Sequence, residues 1–252
     1  MKIAVIVLSI LLVLIAAYCI VISIEEDKKI SRAKKEGADE LFDLMLKSGF
    51  EQRVGDFKEY NRLVKKEGIV FVGDSLTQNY NVYEYFEGYP VLNRGIGGDT
   101  TQGLLSRLKE SVYDLNPSIV ILLIGTNDFG LIENSDEFTV ARNIARIIEE
   151  IRAHCPDTKI LLESLYPVNE GKDPKIDVLS VGSRTNAQIE KTNELLSEIE
   201  GVTYVNVHDS LTDEEGNLRL DYTMEGLHVN ACGYVAITEI LKQEIDRIRS
   251  QL

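Results

Sequence analysis

A serine stands where a short apolar run stops, in Ile69-Val-Phe-Val-Gly-Asp-Ser-Leu76. A buried strand ending in Gly73-Asp74-Ser75 leaves the Ser75 hydroxyl at the mouth of a sheet, within reach of a small molecule. Gly-Asp-Ser alone is ordinary turn chemistry. Three further blocks, in order along the chain, give it meaning. Asn93-Arg94-Gly95-Ile96-Gly97-Gly98-Asp99-Thr100 holds a glycine pair that admits close backbone approach, with Asp99 or Thr100 as a helix cap. Amides at such a helix entrance point outward and can stabilise negative charge. Taken alone, the block reads as a plain strand-to-helix turn. Ile124-Gly125-Thr126-Asn127-Asp128 puts a side-chain amide at a strand end, where it can donate to a developing oxyanion as a carboxylate cannot. Its bland reading is an Asn-Asp turn. Glu225-Gly226-Leu227-His228-Val229-Asn230 places an acid three residues before a histidine, in a loop entering a helix. One turn can bring the two together, the carboxylate fixing the His228 tautomer while the other ring nitrogen takes the Ser75 proton. Together the blocks supply what acyl transfer by a serine needs.

The remaining polar residues of these blocks, Asp74, Asp99 and Asp128, are read as supporting. His208, in Val207-His208-Asp209, is a rival base, but its acid is the next residue and points elsewhere. His154 lies near a helix end, where a cation suits the dipole, and is read as structural. Gly95-Ile-Gly-Gly is neither Gly-x-Gly-x-x-Gly nor followed by Gly-Lys-Ser/Thr, so a nucleotide loop is weakly supported. No Cys/His cluster has metal-ligand spacing.

Elements must position these residues. From Gly68 the pattern alternates between strand candidates at 69–73, 91–94, 119–124, 159–165 and 202–207 and helical stretches at 100–114, 137–153, 184–199 and 233–249. Ile144, Ile147, Ile148 and Ile151 mark one helical stripe, and Ile237, Ile240, Leu241, Ile245 and Ile248 another. Short apolar strands alternating with helices predict an α/β fold with a parallel sheet covered on both faces, its functional loops at the carboxyl ends of the strands.

The composition, 44% hydrophobic and 27% charged, suits one sizeable α/β domain with an appendage. A net charge of −14 argues against nucleic acid as a partner and weakens attraction to anionic lipid. With only three cysteines, no disulfide scaffold is expected, and Cys155 and Cys232 are expected to be free and buried. Ile3 to Ile24 is an apolar run without charge, long enough at about 33 Å to cross a bilayer. A cleaved signal peptide competes with that reading, but Ala16-Ala17-Tyr18-Cys19 is a poor cleavage site, and an uncleaved transmembrane anchor over residues 1–26 is favoured. Lys28, Lys29, Arg32, Lys34 and Lys35 after the run argue for a cytoplasmic domain. The very short leading tail argues for an extracytoplasmic one, which is the side preferred. Residues 27–65 read as a charged helical stalk and a first packing helix, with Leu41, Phe42, Leu44 and Met45 and then Phe57, Tyr60, Leu63 and Val64 as apolar stripes. The catalytic domain is assigned to 66–252.

With its four blocks the chain resembles the SGNH (GDSL-like) hydrolases, including bacterial acylhydrolases related to platelet-activating-factor acetylhydrolase. The resemblance runs from about Gly68 to Leu241. It implies a three-layer, flavodoxin-like α/β/α sandwich around a five-stranded parallel sheet, with Ser75 as nucleophile, His228 as base, and the Ser75 and Gly98 amides with the Asn127 side chain as oxyanion hole. It implies no metal and no organic cofactor. Arg184-Thr185-Asn186 and Leu211–Leu218 also look like stretches of those bacterial members. The family usually has Asp where this chain has Glu225; the extra methylene requires the loop to shift, or else leaves a backbone carbonyl to orient His228. The implied substrate is a small acyl ester, such as an acetylated carbohydrate, with a lysophospholipid or thioester as alternatives. An impaired, membrane-tethered carbohydrate-binding protein is the rival from another class. Tyr80, Tyr83, Tyr85, Phe86 and Tyr89 read equally as a stacking wall for substrate or as packing of a surface loop.

Overall fold

Five apolar runs pair into one parallel sheet in the order β2-β1-β3-β4-β5. The computed structural model describes the backbone of residues 2–251 and the side chains of residues 22–251. Along the chain come α1 (Lys2–Tyr60), β1 (Ile69–Gly73), α2 (Ser75–Gln78), α3 (Val82–Tyr85), β2 (Val91–Gly95) and α4 (Thr101–Ser106). A π-helical turn (Lys109–Tyr113) precedes β3 (Ile119–Leu123), α5 (Thr126–Leu131), α6 (Glu137–His154) and β4 (Lys159–Glu163). Then follow α7 (Val178–Val181), α8 (Asn186–Ser197), β5 (Thr203–Val205), α9 (His208–Leu211) and α10 (Ala231–Arg249). The chain divides into two units, Met1–Ser48 and Gly49–Leu252, and the sheet lies wholly in the second.

Every residue of β1 and β3 is buried, which explains why these strands read as unbroken apolar runs rather than alternating ones. The stripes on α6 and α10 are likewise buried, apart from the partly buried Ile240. The strand order reverses between β1 and β3, so that β1 runs on to the edge strand β2 while β3 starts the opposite half. In open α/β sheets this reversal opens a crevice at the carboxyl ends of the strands. Ser75 follows β1 and Asn127 follows β3, one on each side of it.

Two glycines let the turn after β1 fit there. A Cβ on Gly73 would strike the Leu123 carbonyl and the Thr77 side chain, and a Cβ on Gly95 would strike the Gln78 backbone. Helix α2 therefore rests directly on the strand ends. The single helix expected over 100–114 is instead broken: Arg107, at φ −120°, leaves the α4 geometry and turns its side chain under the strand ends, and the π-helical turn follows. Strand β5 is shorter than expected, three residues of the 202–207 run.

Helix α1 is continuous from Lys2 to Tyr60. Leu41, Phe42, Leu44 and Met45 are all exposed rather than packed, whereas Phe57, in unit 2, is buried. Among the described residues no helix is long and apolar enough to cross a membrane. Most of the expected anchor, the side chains of 3–21, lies outside the described residues. Of the two cysteines expected to be buried, Cys155 is buried and Cys232 is exposed on the first turn of α10; both are free.

Gly95→Ala should push α2 off β2 and cost about 1–3 kcal/mol, the usual size of an overpacking strain. A urea midpoint equal to that of the parent protein would show that α2 does not depend on this close approach.

Candidate active site

Asp74 caps α2, its Oδ1 accepting from the Leu76 amide at 2.9 Å. Ser75 is the first residue of that helix, so its own amide has no acceptor within the helix. Its hydroxyl is half-buried and lies 3.0 Å from His228 Nε2. On the other side of the ring, Nδ1 is 2.5 Å from Glu225 Oε1, and the same oxygen accepts from the His228 amide at 3.0 Å. An ionised carboxylate is an acceptor only, so Nδ1 carries the proton and Nε2 is free to accept from Ser75.

The loop explains how a glutamate reaches. Thr223 and Val229 form an antiparallel bridge, Met224 N donates to His228 O at 2.8 Å, and Gly226 turns at φ 106° with its amide on Thr223 Oγ1. This tight hairpin folds 225 back over 228, and the longer side chain spans the remainder. Tyr234, at the start of α10, fixes the hairpin relative to the serine by donating from its hydroxyl to Leu76 O at 2.7 Å and stacking on Tyr80 at 4.5 Å.

The Ser75 and Gly98 amides and the Asn127 side chain each keep a hydrogen without an acceptor among the described residues. Gly98 sits at φ 72°, a left-handed turn that glycine adopts freely, and among the described residues neither its amide nor that of Ser75 meets an acceptor. Asn127 donates one Nδ2 hydrogen to Asp99 O at 3.0 Å and accepts at Oδ1 from Arg184 Nη2 at 2.7 Å. The guanidinium can only donate, so it fixes which end of the amide is NH2, and the second Nδ2 hydrogen remains for a ligand. Arg184 is itself held by Thr126, Ser180 and Val181 carbonyls, and Gly130 leaves room for it. In the sequence Arg184 marked only a family-like stretch; no spacing rule links residues 127 and 184.

The supporting aspartates brace these loops rather than touch the Ser75–His228–Glu225 line. Asp99 Oδ2 accepts from Arg107 Nε at 2.7 Å. Arg107 also donates to the carbonyls of Gly73 (2.9 Å) and Arg94 (2.8 Å) and to Ser111 Oγ (2.7 Å). Nothing in the sequence singled this buried arginine out. Asp128 accepts from Thr101 N at 2.9 Å and Thr101 Oγ1 at 2.5 Å, tying the block after β3 to α4. Burial raises the pKa of Asp99 and of Asp128 above the usual carboxylate range, opposed by Arg107 and Thr101 respectively. Burial pushes Asp74 up to about 7, with Asp99 and Asp128 adding to the rise and the Leu76 amide opposing it.

The other candidates fall away. His208 Nδ1 faces Asp209 at 3.4 Å and Thr212 Oγ1 at 3.3 Å, with its Nε2 buried and unpartnered and no hydrogen bond to Ser75. His154 stacks on Tyr113 at 4.1 Å, at the carboxyl end of α6. Of the five aromatics expected as wall or packing, four pack. Tyr80 and Phe86 are buried, Tyr85 donates to Ala231 O, and Tyr89 donates to Asp246. Tyr83 alone of the five is exposed.

The structure brings Ser75, His228 and Glu225 together at the carboxyl ends of a five-stranded parallel sheet. The model of the GDSL-like Lipase/Acylhydrolase family matches residues 71–236, and the chain belongs to that family. It is similar to human platelet-activating factor acetylhydrolase IB subunit alpha2, 29% identical over 198 residues that cover 74% of this chain and 82% of the relative. Among solved structures it is similar to a Streptococcus pneumonia chain described as a platelet activating factor, with 32% identity and TM-score 0.74 over 82% of this chain and 98% of the other. It is also similar to an acylhydrolase chain from Bacteroides fragilis, with 25% identity and TM-score 0.65 over 75% and 93%.

A further buried carboxyl group lies at the end of the neighbouring strand. Glu163, at the end of β4, accepts from Tyr166 Oη at 2.6 Å, and burial pushes it up to about 7, helped by the charge of Asp74. Above the unfolded value of 4.5 and below about 7, the folded protein keeps a proton that the unfolded chain loses. The folded state binds more protons there, so this group's contribution to stability declines as pH rises through that window. Glu163→Gln keeps an acceptor for Tyr166 and should flatten the fall in urea midpoint between about pH 5 and pH 7. An unchanged slope would show that Glu163 is ionised throughout.

Proposed function

We propose that this protein is a serine carboxylic-ester hydrolase acting on short acyl or O-acetyl esters through an acyl-enzyme. The observation that carries the reading is the 3.0 Å approach of His228 Nε2 to Ser75 Oγ with Glu225 at 2.5 Å on the opposite ring nitrogen. Ser75 Oγ attacks the ester carbonyl carbon while its proton passes to His228 Nε2. The imidazolium is stabilised by the Glu225 carboxylate, and the tetrahedral oxyanion is held by the Ser75 and Gly98 amides and by Asn127 Nδ2. Collapse expels the alcohol, which leaves with the Nε2 proton. Water then attacks the acyl-enzyme, His228 takes its proton and returns it to Ser75 Oγ, and the carboxylic acid departs. No step calls for a metal or an organic cofactor.

The human relative is named for acetyl removal, which favours a short acyl group over a long one. Lysophospholipase or thioesterase activity uses the same site chemistry and differs only in the groups bound around it. The impaired-binder reading rested on Glu225 failing to reach the imidazole, and the 2.5 Å contact weighs against it. Ser75→Ala should abolish labelling by a fluorophosphonate and hydrolysis of 4-nitrophenyl acetate, and Asn127→Ala should lower turnover by roughly 100- to 1,000-fold. Labelling that survives Ser75→Ala would remove the assignment.

The charge-free run from Ile3 to Ile24 supports membrane anchorage by a single helix, and the side proposed for the hydrolase domain is the extracytoplasmic one. Full-length protein should sediment with membranes and be digested by protease added to spheroplasts, while a form starting at residue 27 should stay in the supernatant. Protection of the full-length domain from that protease would reverse the orientation.

A further inference from the structure

Strand β2 is an edge of the sheet, and beside it opens a cavity of about 370 Å³ whose lining includes Arg53, Arg94, Gln78, Asn81, Tyr60 and Tyr83. Its charge is out of keeping with a chain of net charge −14. Two guanidinium groups stack on one phenyl ring, Arg53 at 4.9 Å and Arg94 at 4.8 Å from the Phe57 centroid. Among the described residues they meet only neutral acceptors. Arg53 donates to Gly95 O at 3.2 Å, and Arg94 donates to Asn93 O at 3.1 Å and Asn61 Oδ1 at 2.9 Å. Among the described residues the Nε atom of each is buried without a partner, and Arg94 as a whole is only 2% exposed. Arg107, the third guanidinium near this ring, is paired with Asp99. Burial, together with the charges of Arg53 and Arg107 and against an opposing contribution from Tyr83, lowers the Arg94 pKa to about 10. Desolvated positive charge without a counter-charge is costly, and an arriving anion relieves that cost.

The cavity adjoins the reacting groups. Gln78 lines it, and its Oε1 accepts from the Gly97 amide at 2.8 Å, beside Gly98. The same residue ends the four-residue helix that Ser75 begins, about 4.5 Å further along the axis. The rest of the lining is suited to a polyhydroxylated ring. Tyr60 and Tyr83 are exposed and offer flat apolar faces, and the Asn81 side chain makes no capping bond to α3 and is free to meet hydroxyl groups. A guanidinium pair matches a carboxylate or phosphate through forked, charge-assisted hydrogen bonds.

We propose that this cavity is a subsite for an acidic sugar unit of the substrate, its carboxylate or phosphate held by Arg53 and Arg94 while the acyl ester lies at Ser75. The substrate class is then an acylated acidic carbohydrate. This deepens the esterase reading and rests on it for the position of the ester, but the subsite itself is read by binding with the nucleophile removed. Ser75→Ala protein, otherwise full length, is titrated calorimetrically with methyl glucuronide, glucose 6-phosphate and methyl glucoside. At least one acid should bind measurably more tightly than the neutral glucoside, and the better of the two tells carboxylate from phosphate. Adding Arg53→Gln should weaken that binding roughly tenfold or more, and added salt should weaken it as well. Tyr83→Ala, an exposed position, should weaken all sugar binding and serves where Arg53→Gln lowers the urea midpoint. Equal binding of acid and neutral sugars, or acid binding indifferent to Arg53→Gln in a folded protein, overturns the proposal. Loss of esterase activity in the parent protein with acid binding intact would instead strike only at the catalytic reading.

Discussion

The site depends first on one buried guanidinium. Arg107 reaches the terminal carbonyl of β1, a carbonyl of β2, the Asp99 carboxylate and the Ser111 hydroxyl. It thereby fixes the two strand ends from which the Ser75 turn and the Gly98 turn depart. A buried charge is tolerable only with its bonds made, and here each nitrogen has an acceptor. The break between α4 and the π-helical turn lets this side chain turn inward. Local helix regularity yields to the satisfaction of a buried charge.

A second layer of order comes from side chains that hold functional groups without sharing their chemistry. Arg184 fixes the Asn127 amide by offering it donors only, and Tyr234 ties the head of α10 to Leu76, the neighbour of the serine. The His228 hairpin and the Ser75 helix lie more than 150 residues apart in the chain, and that tyrosine makes their separation reproducible. Glu225 fits the same logic. A carboxylate that accepts from both the imidazole and the His228 backbone has little freedom left, so the longer side chain is no looser than the loop that carries it.

The electrostatics of the molecule are uneven. Carboxyl groups at the strand ends, Asp74 and Glu163, are pushed toward neutrality by burial, whereas among the described residues Arg53 and Arg94 at the β2 edge stay without a carboxylate partner. An acidic exterior repels acids at long range, but within a Debye length the local arrangement governs which ligand is accepted.

The sequence pattern located all five strands, most plainly β1 and β3, whose burial on both faces leaves unbroken apolar runs, and it located the long α6 and α10 by their stripes. The residues of the Ser75, Asn127 and His228 blocks were legible for a related reason: each ends or follows such an element, and few residue types can do their chemistry. The burial of the tyrosines, the exposure of Cys232 and the brace formed by Arg107 and Arg184 were not legible. An arginine in a sequence carries no mark of which carbonyls will surround it, and long-range partners follow no spacing rule. The chain by itself determined which groups the site contains; only the contact of α10 with α2 through Tyr234 and the order of the strands in the sheet decided that they meet, since hydrogen-bond distances between remote residues are set by tertiary contacts and by nothing local.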